Sequence, residues 1–148
     1  MNSTHKRLGL ASLGCAVLLA SLTAAACDLK VDSAWIRTAP PTATSLAGYA
    51  VLSNTGSKPL TITQTKAPAV DMAMLHETTI QNGVAQMRML DSLSIEPGAQ
   101  VLLAPGGKHI MLMGLKSVPK AGEHVTIIFT DSLGCATSAE FAVQASAP

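Results

Sequence analysis

Short apolar and β-branched runs, each cut off by a turn signal, limit what this chain of 148 residues can become. No segment carries the long apolar stripe of helical period, with caps, that marks an amphipathic helix. Residues 29–36 stop ahead of Pro40-Pro41, residues 46–53 ahead of Asn54-Thr55-Gly56-Ser57, and residues 60–65 ahead of Pro68. Residues 74–80 and 84–90 flank Gln81-Asn82-Gly83, where Asn-Gly supplies the positive φ of a tight hairpin. Further strands are predicted at 100–104, 109–113, 124–130 and 139–143, with turns at Pro105-Gly106-Gly107, 119–123 and 131–134. This spacing predicts an all-β single domain, a Greek-key β-sandwich or small barrel with little helix. No internal repeat or interdomain linker interrupts it.

The first 26 residues read as a leader. Lys6 and Arg7 form a basic start, residues 8–22 an apolar run, and Ala24-Ala25-Ala26 a small-residue cleavage site. The run is too short and wrongly flanked for a membrane span. Cleavage after Ala26 leaves residues 27–148 as the domain, enough for a real core. Losing Lys6 and Arg7 from ten basic residues leaves eight against nine acidic ones. No basic face remains for nucleic acid or anionic lipid. The leader implies export.

Export makes the cysteines informative. Cys15 lies in the leader, so Cys27 and Cys135 remain as an even pair in a disulfide-permissive compartment. One reading bridges them, tying the amino terminus to a late strand. The other takes Leu22-Thr23-Ala24-Ala25-Ala26-Cys27 as a degenerate lipoprotein signal, with lipid on Cys27 as the protein's one membrane contact. That signal usually wants a larger aliphatic residue where Ala24 stands, and it would leave Cys135 unpaired. The cysteine count favours the disulfide.

The candidate site is written in His and Met. His76 is followed after ten residues by Met87, and after twenty-one more by His109-Ile110-Met111. Imidazole and thioether are uncharged at neutral pH, a poor set for zinc, calcium or magnesium and a good one for soft, singly charged Cu(I). Side chains at i and i+2 share a strand face. His109, Met111 and Met113 therefore point one way, and so do Met87 with Met89, and Met72, Met74 and His76 if that stretch is extended. Taken singly, each methionine reads as flexible core filler and each histidine as a satisfied or surface residue. Composition and periodicity leave that reading and the copper site both open.

The spacing His76-x10-Met87-x21-His109-x-Met111 resembles the signature of the PCuAC-type periplasmic copper chaperones at every ligand position. Ala34-Trp35-Ile36-Arg37 with Pro40-Pro41, Leu75-His76-Glu77-Thr78, Asn82-Gly83-Val84 and residues 105–115 are similar to that family's segments too. The resemblance runs from about Val31 to Val143. It implies a cupredoxin-like β-sandwich that binds Cu(I) through His76, Met87, His109 and Met111, and the chain is expected to be a monomer. It also implies delivery to cytochrome c oxidase, above all the dinuclear copper centre of subunit 2, or to another copper-transfer protein. Met74, Met89 and Met113 fall outside the motif and read as packing or a soft surround. Residues 144–148 carry neither His nor Met, so Cu(II) binding through a tail is not expected.

Other classes fare less well. A blue-copper carrier needs a Cys thiolate with His nearby, and no His follows Cys135. No Ser or Thr sits in a recognisable catalytic motif, so an enzyme is not expected. A copper storage or resistance protein, or a secreted β-sandwich interaction module without metal, remains as the alternative.

Overall fold

The computed structural model describes residues 27–148, and the predicted leader with its Cys15 lies outside the described residues. Ten strands follow in order: β1 Leu29–Arg37, β2 Ser45–Asn54, β3 Leu60–Lys66, β4 Val70–Gln81 and β5 Val84–Met89. Then come β6 Leu93–Ile95, β7 Gln100–Leu103, β8 Lys108–Leu115, β9 His124–Asp131 and β10 Ala136–Gln144. No helix occurs among the described residues.

Seven strands close on themselves in the order β4-β8-β2-β1-β10-β9-β3 and back to β4. The closure rests on one bridge, Thr65 opposite Ala73, where the Thr65 hydroxyl donates to the Ala73 carbonyl at 2.7 Å. All pairings are antiparallel except β1 with β10, which run parallel over Trp35↔Ala142 to Arg37↔Gln144. Three strands hang on the barrel: β5 on β4, β6 on β3 and β7 on β2. The all-β, single-domain expectation holds, with the barrel form of it realised.

The inward positions of each strand supply the core. Ile36, Leu52, Ile62, Ile110, Leu112, Ile127, Phe129 and Phe141 are fully buried, each contributing about 1.5–3 kcal/mol by leaving water. The predicted turn at Asn82-Gly83 forms with φ of 52° and 78°, the two positive values a two-residue hairpin requires. At the far end of β2, buried Asn54 donates to the Lys58 and Ile95 carbonyls and accepts from the Gly56 amide. Its three bonds fasten β6 under the turn.

Three details differ from the sequence expectation. β4 begins at Val70, ahead of the predicted residue 74, because pairing with β8 continues through Met72↔Met113. The short strand β6 was not anticipated. Cys27 and Cys135 are bridged, but Cys135 sits in the turn before β10 rather than in a strand.

Candidate metal centre

Strand register decides which side chains meet. β4 and β8 pair through His76↔His109, Met74↔Met111 and Met72↔Met113. On the other side of β4, His76 lies opposite Met89 and Thr78 opposite Met87. Beyond β8, β2 sets Ala47 against Met111 and Ser45 against Met113. Alternation sends Leu75, Ile110 and Leu112 into the core, so the His and Met positions all face outward. Every methionine of the described residues lies on this outer face. None belongs to the hydrophobic core or packs against it. The core-filler reading of the methionines is therefore wrong for this fold.

Outward positions on these four strands carry Met, His, Thr, Ala, Ser, Ile, Val, Leu and Tyr, and no charged residue. The charges lie on the reverse side. There Glu77 of β4 pairs with Arg88 of β5 at 2.6 Å and with Lys108 of β8 at 2.7 Å, joining all three strands that carry motif residues. Lys108 first, then Arg88, hold the Glu77 carboxyl below the usual carboxylate range. A permanently charged Glu77 keeps this clamp closed at neutral pH.

The two imidazoles face each other edge to face, with centroids 5.9 Å apart and planes at 90°. His109 is buried, and its Nδ1 lies 3.0 Å from the Gly107 carbonyl. A carbonyl only accepts, so Nδ1 carries the proton and the Nε2 lone pair is left for a metal. The Pro105-Gly106-Gly107 turn thus orients the ring as well as starting β8. His76 presents the opposite case: its Nδ1 is buried without a hydrogen-bond partner. An unsatisfied buried nitrogen costs stability unless something binds it. Burial, and then the neighbouring His109, push the His76 pKa below its ordinary 6.5. The ring is neutral at pH 7, the form that ligates.

Met87, His109 and Met111 line one open pocket of about 390 Å³, with Ala47, Tyr49 and Thr78. His76 is not on its wall but faces His109 across the strands. Met89, although directly opposite His76, lines a different cavity with Met74 on the β3 side. The sequence motif and the pocket agree in separating Met87 from Met89. Tyr49 was missed by sequence reasoning. It stacks on Trp35 at 4.7 Å, and burial raises its phenol pKa, so a neutral hydroxyl ring forms part of the pocket wall. Its only sequence signal was an aromatic in a β2 that was not yet known to flank β8.

No group of three or more His, Cys, Asp or Glu side chains able to hold a metal occurs among the described residues. The further side-chain donors beside His109 in the pocket include the Met87 and Met111 thioethers, which suit a soft ion.

Residues 29–143 match the family model described as "Putative lipoprotein LpqE-like". The chain belongs to the LpqE-like family. A curated relative, "Putative lipoprotein Lxx21020" of Leifsonia xyli subsp. xyli, is 38% identical over 106 residues, covering 70% of this chain. The matched region spans 63% of that relative's length. Among solved structures, Cu(I)-DR1885 from Deinococcus radiodurans is 31% identical with a TM-score of 0.65, covering 83% of each chain. The copper-bound PCuAC domain from PmoF2 has a TM-score of 0.67 at 19% identity, covering 82% of this chain and 97% of its own. This LpqE-like chain thus has the fold of PCuAC domains, and the kinship with PCuAC-type copper chaperones expected from its motif is borne out.

Proposed function

We propose that the chain is an exported carrier of Cu(I), which it holds through His76, Met87, His109 and Met111. Its cargo passes to the dinuclear copper centre of cytochrome c oxidase subunit 2 or to another copper-transfer protein. The observation that carries the reading is the uncharged His and Met face. Two thioethers and the His109 imidazole line one pocket there, the His76 ring faces that of His109, and the buried His76 Nδ1 lacks a partner. Neutral ligands suit a monovalent ion and hold it less tightly than a thiolate cage would. Such a site suits storing and handing over an ion. The copper-bound state of a 31% identical relative supports the same cargo.

Family membership supports export, and two fates compete for the Cys27 sulfur. A lipid thioether would anchor the chain to a membrane, whereas the bridge to Cys135 leaves it unanchored. One sulfur cannot serve both.

Anaerobic Cu(I) titration against a competing chelator tests the site, with zinc as the control ion. The expected result is one tightly held Cu(I), weakened in His76→Ala, Met87→Leu, His109→Ala and Met111→Leu, and little changed in Met89→Leu. Equal retention of zinc, or a Met89→Leu defect larger than that of Met87→Leu, would refute this ligand set. Transfer is read separately, as copper acquired by a purified subunit 2 copper domain.

A further inference from the structure

Only two of the six outward methionines belong to the proposed Cu(I) site. Of the other four, Met89 lies on the edge strand β5, while Met72, Met74 and Met113 occupy adjacent positions at the other end of the β4–β8 pair. Met72 is directly opposite Met113, and Met74 is two residues along the same face, where it lies opposite Met111. Directly opposed side chains have Cβ atoms roughly 4.5–5.5 Å apart, and diagonal neighbours stand within reach of long side chains. Met72 is 50% exposed, so its burial adds little stability. Leucine would fill such a position as well, with stiffer packing and no oxidisable sulfur. What methionine adds over leucine is a polarisable lone pair.

We infer that Met72, Met74 and Met113 form a second, thioether-only site for a soft monovalent cation, Cu(I) or Ag(I). Three neutral sulfurs add no charge, and the two charged residues that line the groove beside them, Lys66 and Asp71, are of opposite sign. Divalent hard ions gain nothing from such a set. Met72 and Met74 border an open groove with Thr65, Lys66 and Ala67 on the β3 side, so neither side chain is packed in place from that side. Ser45 of β2, opposite Met113, closes the far side with a small polar residue. Met74 lies opposite Met111, so the second site abuts the first and their thioethers form one continuous row. Its residues are nonetheless separate, and it stands or falls independently of the His76 to Met111 ligand set.

The test uses the chain with 13C-methyl-labelled methionines, titrated with silver nitrate in chloride-free buffer and weighed by native mass spectrometry. Two bound Ag(I) are expected. The Met87 and Met111 methyl signals should move with the first equivalent, and those of Met72, Met74 and Met113 with the second. The Met72→Leu/Met113→Leu variant, which removes two of the three sulfurs, should keep the first ion and bind the second at least about tenfold more weakly, a loss of about 1.4 kcal/mol or more. Zinc should move none of the three methyls. Silent Met72 and Met113 methyls through several equivalents would overturn the inference. So would a second ion held equally well by the double variant. Methyls that ignore silver but broaden with a protein partner would reassign the face to docking and overturn it too. If these three methyls respond while the histidine ring signals do not, the second site stands and the proposed first site fails.

Discussion

Replacing Cys135 by Ser opens the bridge from Cys27, and the topology says what that should cost. The bridge joins residues 108 apart in sequence. Constraining an unfolded loop of that length corresponds to about 4.8 kcal/mol in the chain-entropy account. For the 122 residues of 27–148, unfolding entropy near 2.1 cal/mol/K per residue converts this to a fall in Tm of about 19 °C. The fold offers little local compensation. β1 and β10 pair only over Trp35 to Arg37, because a bulge between Asp32 and Trp35, with Ser33 at φ 49°, turns the first half of β1 away. The bridge fastens the starts of the two strands across that gap. Calorimetry should therefore show the large Tm loss, and hydrogen exchange should show faster amides at residues 28–33 with β4 and β8 unchanged. Ag(I) affinity should not change, since no bridged residue lies on a strand of the candidate site. A Tm within about 3 °C of the parent would refute the argument. Recovery of Cys27 as an acylated amino terminus from exported protein would remove the bridge itself.

Three further outcomes are expected. The ratio of Cu(I) affinities between the parent and His76→Met isolates proton competition at His76. An imidazole at the ordinary 6.5 would lose about elevenfold by pH 5.5, and the downward shift at His76 predicts a smaller loss, beginning below pH 6.5. The same shift has a sign for the metal-free fold: the unfolded state takes up the proton first, so stability falls as pH drops from 6.5 through the folded pKa. A ratio falling already above pH 6.5 would refute this. Glu77→Gln should speed amide exchange across β5 while leaving β9 and β10 protected, because it frees both Arg88 and Lys108; an unchanged β5 would show that the clamp is inert. Gly114→Ala should lower stability by about 1–2 kcal/mol, the cost of a left-handed backbone for a residue with a Cβ, since Gly114 sits at φ 68° with Asp71 against it. Chemical denaturation measures it, and a neutral result would refute the strain argument.

Most strands were legible because turn residues punctuate the chain, and Asn82-Gly83 even specified its turn type. What was not legible depends on distant partners. Closure of the barrel rests on Thr65 meeting Ala73, and neither residue advertises the other. β6 is three residues long and is held by Asn54, forty-one positions earlier than Ile95. Within residues 109–113 both strand faces are apolar, so hydropathy could not say which was core. Only the contrast between buried Ile110 and Leu112 and the outward Met111 and Met113 resolves it. Met87 and Met89 share a face, and periodicity alone could not separate them. The motif spacing did, and the pocket walls follow the same division.

The two sides of the site differ in rigidity, and on the proposed function that difference matters. β8 is paired on both edges, by β4 and by β2. His109 is buried on it, with its ring tied to the Gly107 carbonyl. β5 is an edge strand exposed along its whole length, and Met87 is 55% exposed. Edge elements with few buried contacts open at much lower free-energy cost than core strands. An ion held between the two would keep its imidazole on β8 while the Met87 thioether gives way. A recipient's ligand then enters on the exposed side, next to a ligand already free to leave, and release needs no disruption of the barrel. A site built wholly on paired strands would bind more tightly but lack that exit.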